Sequence, residues 1–193
     1  MAVLTIRVLR AGVALTAAML TCGPVLADNC DWSWTWFATS CRQAKRAFNE
    51  GSYDLYLTGY TYHNRQTYTR EKIDTYQENS WGGGLGRSVI DERGNWHGLY
   101  AMAFQDSHFK PQYMGGYGWL ARWNPGGDFH VGVGVTGFVV ARSDYDYVPI
   151  PGILPLGSLE YKRVSLMASY VPRLSRNEGN GDVLFLFAKV ALQ

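Results

Sequence analysis

The stretch from Gly94 to Ser107 constrains the fold of this 193-residue chain more than any other. Successive side chains of an extended strand point to opposite faces, and here both faces are mostly apolar. The two faces carry, in turn, Trp96, Tyr100, Met102 and Phe104, and His97, Leu99, Ala101 and Ala103. The pattern predicts a strand that is covered on both sides, unlike a strand with one face in water.

The same strand ends in Asp106 and Ser107, a carboxylate beside a hydroxyl, where the sequence turns polar. An acid and an alcohol at the rim of an apolar strand indicate chemistry at a boundary between apolar and aqueous surroundings. Taken alone the pair is a weak signal, because loops favour both residues for their hydrogen bonds.

Composition favours strands and turns over helices. The chain has 15% aromatic residues, 22 glycines and 13 tyrosines, and its length suits one domain with room for an extra helix. A net charge of +2 indicates no particular partner, and no nucleic acid is expected. The mean hydropathy is negative and no long apolar run follows Ala27, which excludes a helical membrane span there.

The N-terminus has the pattern of a secretory signal. Arg7 and Arg10 precede an apolar stretch at 11–20, and small residues end at Ala27, which predicts cleavage of a signal peptide spanning 1–27. A retained anchor helix is the alternative, but the apolar stretch is too short to span a bilayer. With so many strand signals behind it, the leader indicates a Gram-negative envelope.

Three cysteines are present. Cys22 leaves with the signal peptide unless it is a lipidation site, for which Thr21 is an awkward preceding residue. Cys30 and Cys41 remain in an oxidising compartment. Continuous helix would separate them by about 16 Å, beyond disulfide reach. Two unpaired thiols are the favoured expectation, and pairing requires Cys30 to fold back before the helix begins.

An amphipathic helix is predicted over Trp34–Phe48, within a segment spanning 28–51. Apolar residues recur at helical spacing, basic residues occupy the other side, and Gly51 is a natural stop. Tryptophans on a basic helix are typical of a helix that lies on anionic lipid, here on the periplasmic side. The alternative is an ordinary helix packed on a soluble core.

Eight strand candidates follow, each near the length of a tilted membrane strand. They are Tyr53–Tyr62, Ile73–Gly84, Asn95–Gln105, Tyr113–Trp123, Phe129–Ala141, Val148–Leu159, Val164–Val171 and Val183–Leu192. Short turns alternate with longer, charged loops, as in outer-membrane barrels. The sequence therefore predicts an all-β fold, an eight-stranded antiparallel transmembrane β-barrel over 52–193 with an N-terminal amphipathic α-helix.

Several separated motifs appear in the order expected of one family. The stretches Tyr53–Tyr56, Trp81–Gly84, Gly94–Ser107 and Tyr145–Pro149 resemble the PagP family of outer-membrane lipid A palmitoyltransferases, over roughly 34–170. The resemblance implies an acyltransferase that moves a palmitoyl chain from a phospholipid to lipid A in the outer leaflet of the outer membrane. It also implies a monomer that needs no cofactor, because the donor ester already supplies an activated acyl group.

The resemblance also assigns the catalytic residues. His63, Asp106 and Ser107 match the family's catalytic histidine, aspartate and serine, and the predicted topology brings the ends of the first and third strands to one rim. A histidine accepts a hydroxyl proton near neutral pH, and a carboxylate orients it. Both acid and serine reach the histidine only if the strand ends before Asp106. Ser107 as acyl-enzyme nucleophile and Ser107 as positioning group both stay open.

The family also suggests how lipid enters and how its length is read. Gly118 shares a face with Gly116 that is expected to point inward and to leave room inside the barrel. By resemblance, Gly118 matches the residue at the floor of the family's acyl pocket and is therefore expected to be the acyl-chain ruler. Pro155 and Pro172 match one of the family's proline-flanked gaps for lateral lipid access. Thr58 and Ser80 stand where the second gap has prolines, which puts passage on that side in doubt.

The remaining histidines and the glycine run have simpler interpretations. His97 is expected to be a hydrogen-bonded interior or interfacial residue, and His108 and His130 rim or turn residues. No metal is expected, since no cluster has metal-ligand spacing. Glycines 82–86 lack the following helix of a phosphate loop and indicate close backbone approach in a strand.

Two other classes of protein compete with the enzyme. A non-enzymatic eight-stranded barrel, an adhesin or structural anchor, needs a polar interior, which the two apolar faces of the third strand disfavour. A soluble lipocalin-like binder has a polar exterior, and release without detergent would distinguish it.

Overall fold

The computed structural model describes residues 30–173 and 181–192. The predicted signal peptide, 1–27, and Cys22 lie outside the described residues. Among the described residues, no helix is both long and apolar enough to cross a membrane. The chain divides into two compact units, 1–45 and 46–193, and the second contains every strand that the structure describes.

Eight strands form the second unit. They are β1 Ser52–His63, β2 Gly82–Ile90, β3 Trp96–Gln105, β4 Pro111–Gly126, β5 Phe129–Arg142, β6 Ile150–Tyr161, β7 Val164–Val171 and β8 Val183–Ala191. Each strand pairs antiparallel with the next, and β1 pairs with β8, so the sheet closes into a barrel. The predicted eight-stranded antiparallel barrel is thereby confirmed.

The two ends of the barrel differ. At the turn end, residues 91–95, 127–128 and 162–163 make short connections. At the loop end lie the longer connections 64–81, 106–110 and 143–149, together with the partly described connection after β7. The β1–β2 connection includes a short helix, α2 Arg70–Ile73.

The second strand was predicted in the wrong place. The sequence suggested Ile73–Gly84, whereas β2 is Gly82–Ile90 and Ile73 ends α2. Glycine has low strand propensity, so the predicted strand ended at Gly84, close to the residue where the observed β2 begins. The glycines permit close strand approach, because a Cβ at Gly82 would lie 2.2 Å from the carbonyl oxygen of Ala103. That part of the interpretation of the glycine run is confirmed.

The barrel interior changes character along its axis. Its buried apolar cluster consists of Tyr56, Trp96, Tyr100, Met102, Phe104, Leu120, Leu156, Met167, Phe185 and Phe187. Towards the turn end it becomes polar, where fully buried Asp54 lies 3.5 Å from the ammonium of Lys189. The same ammonium lies 5.6 Å from the Trp96 ring, which therefore marks the boundary between the two regions.

The N-terminal helix is present as α1, Thr35–Glu50, and ends before Gly51. Cys30 and Cys41 form a disulfide, with Cα atoms 5.7 Å apart. The favoured expectation of two unpaired thiols was wrong. The helix begins only at Thr35, so the preceding segment is free to bring Cys30 back beside the first turns, within the range that a disulfide requires.

Candidate active site at the loop end

A β-bulge at Gly59 decides which way His63 points. In the pairing of β1 with β8, Thr58 faces Phe187 and Tyr60 faces Leu186, so Gly59 is an extra residue. Before the bulge Thr58 is buried, and after it Tyr60 is exposed while His63 is buried, at 4% exposure. The bulge therefore directs His63 inward.

His63 and Ser107 meet at the loop end, as the sequence predicted. The His63 Nε2 atom lies 3.4 Å from the Ser107 Oγ atom. The imidazole stacks on the Tyr76 ring, with centroids 4.7 Å apart, and meets the edge of Tyr68 at 5.6 Å. The arrangement holds a basic nitrogen against a hydroxyl in a largely buried setting.

Asp106 is brought beside Ser107 but makes different contacts from those expected. The strand β3 ends at Gln105, so Asp106 and Ser107 lie in a turn, as predicted. One carboxylate oxygen, Oδ1, accepts the backbone N–H groups of His108 at 2.8 Å and Lys110 at 2.9 Å. The other oxygen is buried and has no hydrogen-bond partner among the described residues. Asp106 thus organises the turn that presents Ser107.

The carboxylate that faces His63 belongs to Glu78, which sequence reasoning missed. Its Oε1 atom lies 3.6 Å from His63 Nδ1 and accepts the His63 backbone N–H at 3.3 Å. Its Oε2 atom accepts hydrogen bonds from Tyr60 at 2.8 Å and Arg65 at 2.7 Å. Burial raises the pKa of Glu78, but these hydrogen bonds outweigh it, and its pKa lies below the ordinary value.

Nothing in the sequence singles out Glu78. Three acidic residues, Glu71, Asp74 and Glu78, lie on the connection between β1 and β2. The connection has no period that shows which of them points towards the barrel. Part of it was also predicted as strand, which hid its role as a loop over the site.

The other histidines largely follow expectation, with one correction on metal geometry. His97 is buried between Asp91 Oδ2 at 3.0 Å and the Tyr117 hydroxyl at 2.6 Å, which confirms a hydrogen-bonded residue.

Contrary to the sequence-based expectation, one group of described side chains has metal-ligand spacing. Ligand atoms of Asp106, His108 and Asp144 lie within 4.8 Å of one another. Asp144 is already paired with Arg142 at 2.6 Å, and two of the three side chains are exposed.

Gly118 lies inside the barrel, as predicted, but the space beside it is filled. A Cβ on Gly118 would lie 2.8 Å from the Trp96 ring and 3.3 Å from the Leu156 side chain. A Cβ on Gly116 would similarly lie 2.8 Å from the Tyr100 hydroxyl. These glycines make room for aromatic side chains of β3, and the Trp96 ring next to Gly118 closes the apolar region from below.

The two predicted seams differ in structure. The ladder between β6 and β7 stops at Leu156 and Ser169, directly before Pro155, and Pro172 follows the end of β7. At this point the Ser169 hydroxyl donates to the Pro155 carbonyl oxygen at 3.1 Å. On the other side, the β1–β2 ladder stops at Thr58 and Gly82. Hydroxyls continue the connection there, since Thr58 donates to the Ser80 carbonyl oxygen at 2.6 Å. A second contact of 2.5 Å joins the hydroxyls of Thr61 and Ser80.

Comparison with known proteins identifies the family. Residues 43–189 match the family model described as antimicrobial peptide resistance and lipid A acylation protein PagP. The chain belongs to the PagP family. The matched range contains the barrel from β1 to most of β8, and with it His63, Glu78, Asp106 and Ser107.

Individual PagP relatives match over most of their length. A lipid A acyltransferase PagP of Bordetella pertussis is 46% identical over 167 residues, which cover 86% of this chain and 90% of the relative. One from Bordetella bronchiseptica has the same identity and coverage. A lipid A acyltransferase PagP of Legionella pneumophila is 47% identical over 154 residues, which cover 79% of this chain and 80% of the relative.

Proposed function

We propose that this chain is a lipid A acyltransferase that moves a palmitoyl chain from a phospholipid to lipid A. The observation that carries the proposal is the contact between His63 and Ser107 at the loop end of a barrel with an apolar interior. The aromatic and aliphatic interior suits an acyl chain, and the site at its mouth suits the ester that ends it. The donor ester supplies the activated acyl group, so the reaction needs no cofactor.

In this reaction His63 serves as the base. A hydroxyl attacks the donor ester carbonyl, its proton passes to His63 Nε2, and the proton then goes to the oxygen of the departing lysophospholipid. The attacking hydroxyl is either that of lipid A, with Ser107 as a positioning group, or that of Ser107 itself. In the second route an acyl-enzyme forms, and lipid A takes the acyl group in a further step of the same kind.

The outer surface supports a place in the outer membrane. Large apolar side chains on the strands are exposed to the surroundings of the barrel, for example Leu57, Leu85, Val133, Ile153 and Leu166. Such an outward apolar band is what a transmembrane barrel requires. The loop end then faces outward, where lipid A lies, and the barrel acts as a monomer.

The N-terminal segments fit the same placement. After removal of a signal peptide at 1–27, the segment 28–51 lies on the periplasmic side and includes α1. Trp34 is 72% exposed and Trp32 is 59% exposed, as expected for residues that contact the interfacial region of a membrane.

Within the barrel, Gly118 and Trp96 limit the depth that an acyl chain reaches. Pro155 and Pro172 flank the seam through which lipid enters laterally, because a proline donates no ladder hydrogen bond. Two hydroxyl contacts to Ser80 close the β1–β2 side, against the single Ser169–Pro155 hydrogen bond on the β6–β7 side, which favours the β6–β7 side for this passage.

Mass spectrometry of lipid A tests the proposal. Cells that produce the wild-type chain should contain lipid A with the added mass of one palmitoyl group, and cells that produce His63→Ala should not. A phospholipid labelled in its acyl chain should transfer the label in a purified system. Unchanged lipid A in both experiments would contradict the proposal and favour a non-enzymatic barrel.

A further inference from the structure

We propose that Glu78 is the positioning residue of His63, and that the working arrangement is Ser107–His63–Glu78. The inference rests on the proposed function and deepens it by naming the carboxylate that orients the base. Sequence resemblance gave that role to Asp106, whereas the geometry assigns it to a residue of the β1–β2 connection.

The two ring nitrogens of His63 face different partners. Nε2 lies 3.4 Å from Ser107 Oγ, and Nδ1 lies 3.6 Å from Glu78 Oε1. A carboxylate beside Nδ1 favours the tautomer that carries its hydrogen there, which leaves Nε2 free to accept a proton. The separation at Nδ1 is longer than a hydrogen bond, and catalytic contacts of this kind commonly shorten in the complex with substrate.

Glu78 is itself held in place. Tyr60 and Arg65 fix its Oε2 atom, and the His63 backbone N–H holds its Oε1 atom. The Glu78 carbonyl oxygen accepts the backbone N–H of Thr61 at 2.7 Å, which ties the segment to β1. The side chain is only 16% exposed, so its charge acts on His63 with little screening by solvent.

The same segment also reaches the serine. The backbone N–H of Gln77 donates to the Ser107 carbonyl oxygen at 2.9 Å. One short stretch of chain therefore fixes the acid relative to both the histidine and the serine. This is the property expected of a structural support for a catalytic pair.

Asp106 is less suited to the orienting role. Its Oδ1 atom is committed to two backbone N–H groups of its own turn. The described groups around the imidazole are Glu78, the Ser107 hydroxyl and the rings of Tyr68 and Tyr76, with Arg65 behind Glu78 and His108 behind Tyr76. Of these, Glu78 is the carboxylate that lies beside the ring.

The test compares Glu78→Gln and Glu78→Asp with Glu71→Gln as the control. Glu71 is exposed on the same connection, in α2. Glu78→Gln should lower kcat about 10²-fold with little change in KM. It should also shift the acidic limb of the pH–rate profile to lower pH, because loss of a neighbouring negative charge favours neutral imidazole. Glu78→Asp should restore part of the rate, and Glu71→Gln should behave as wild type.

A purely structural role would lower the amount of folded barrel without moving the pH profile, which overturns the inference. Wild-type kinetics in Glu78→Gln would also overturn the inference and would leave the proposed function intact. An inactive wild-type protein, by contrast, would mean that the proposed function itself has failed. Nitrogen NMR of ¹⁵N-histidine wild-type protein in detergent needs no variant. The Nδ1–H tautomer of His63 is expected, and the Nε2–H tautomer would overturn the inference.

Discussion

Thr58 donates its hydroxyl hydrogen to the carbonyl oxygen of Ser80 at 2.6 Å, across the seam between β1 and the segment that precedes β2. Both residues are 2% exposed, so the bond lies in a dry environment. It joins the two sides where the backbone ladder has already ended at Thr58 and Gly82. The barrel is therefore closed by side chains here, whereas at the β6–β7 seam one side-chain hydrogen bond, from the Ser169 hydroxyl to the Pro155 carbonyl oxygen at 3.1 Å, lies beside the last ladder pair.

Replacement of the Thr58 hydroxyl should weaken this seam. Thr58→Val keeps the shape of the side chain and leaves the Ser80 carbonyl oxygen without its partner, which costs about 1–3 kcal/mol for a buried group. The midpoint of guanidinium unfolding in detergent measures this loss. The rate of palmitoyl transfer should stay within about twofold of wild type, since lipid passes on the other side. A large rise in rate would show that the β1–β2 seam also admits lipid.

A cross-link tests the open seam. Continuation of the β6–β7 register places Leu154 opposite Val171, beyond the last pair at Leu156 and Ser169. Leu154→Cys combined with Val171→Cys should lose transfer when oxidised, because the gap can no longer widen, and should recover after reduction. Wild type treated with the same reductant controls for loss of the Cys30–Cys41 disulfide. Full activity of the oxidised form would show that lipid enters elsewhere.

Gly118 should control the length of the transferred chain. Gly118→Met places a side chain against the Trp96 ring, where a Cβ alone would lie at 2.8 Å. Added volume in a packed interior is poorly absorbed, so transfer should shift from palmitoyl to shorter acyl groups. Gly137→Met is the matched control, because nothing lies within 4 Å of a Cβ at Gly137. Competition between phospholipids of different chain length measures the preference, and unchanged selectivity in Gly118→Met would remove Gly118 as the ruler.

Substitutions of the three residues suggested by resemblance should reduce transfer for different reasons. His63→Ala and Ser107→Ala should leave a folded barrel with transfer reduced about 10²–10⁴-fold. Asp106→Ala should also be impaired, because the turn that holds Ser107 loses two hydrogen bonds. Asp106→Asn keeps an acceptor oxygen for both N–H groups and should retain most of the activity. If Asn is as damaging as Ala in the transfer assay, Asp106 acts through its charge and not through the turn.

The turn between β2 and β3 gives a pH-dependent stability. Burial raises the pKa of Asp91, but hydrogen bonds from Asn95, His97 and the Arg93 backbone outweigh it and lower the pKa from 3.8 to about 2. Because the folded state stabilises the ionised carboxylate, Asp91 adds to the free energy of unfolding above about pH 4. This stabilisation is lost as the pH falls from about 4 to about 2. Unfolding midpoints measured across this range should fall less steeply for Asp91→Asn than for wild type. Parallel slopes would contradict the assignment.

The sequence predicted the barrel well because strands keep a period of two, which is visible without tertiary information. Val164–Val171 was predicted with the bounds that the structure shows. The position of β2 was wrong because the glycines weaken the strand signal, so the predicted strand stopped at Gly84 although the neighbouring strands hold residues up to Ile90 in the sheet. The disulfide was missed because its geometry depends on how the chain enters α1.

The candidate site was predicted in part and for different reasons. His63, Asp106 and Ser107 came from resemblance, and the meeting of His63 with Ser107 followed from topology. Glu78 was missed because a loop has no period, so its direction depends on contacts with Tyr60 and Arg65 that only the folded chain reveals.

The extra residue in β1 gives the site an unusual kind of vulnerability. Side chains of a strand alternate between its two faces. Before Gly59 the even-numbered residues of β1 face the interior, and after it the odd-numbered residues do. If Gly59, which has no side chain, instead took an ordinary place in the ladder, the last four residues of β1 would turn over together. The tyrosines at 60 and 62 would then enter the barrel and the imidazole of His63 would meet lipid, with no change in the chemical identity of any of them. The base of this site thus depends on one irregularity in the pairing of β1 with β8, and a fully regular strand of the same sequence would lose it as surely as a change of the histidine.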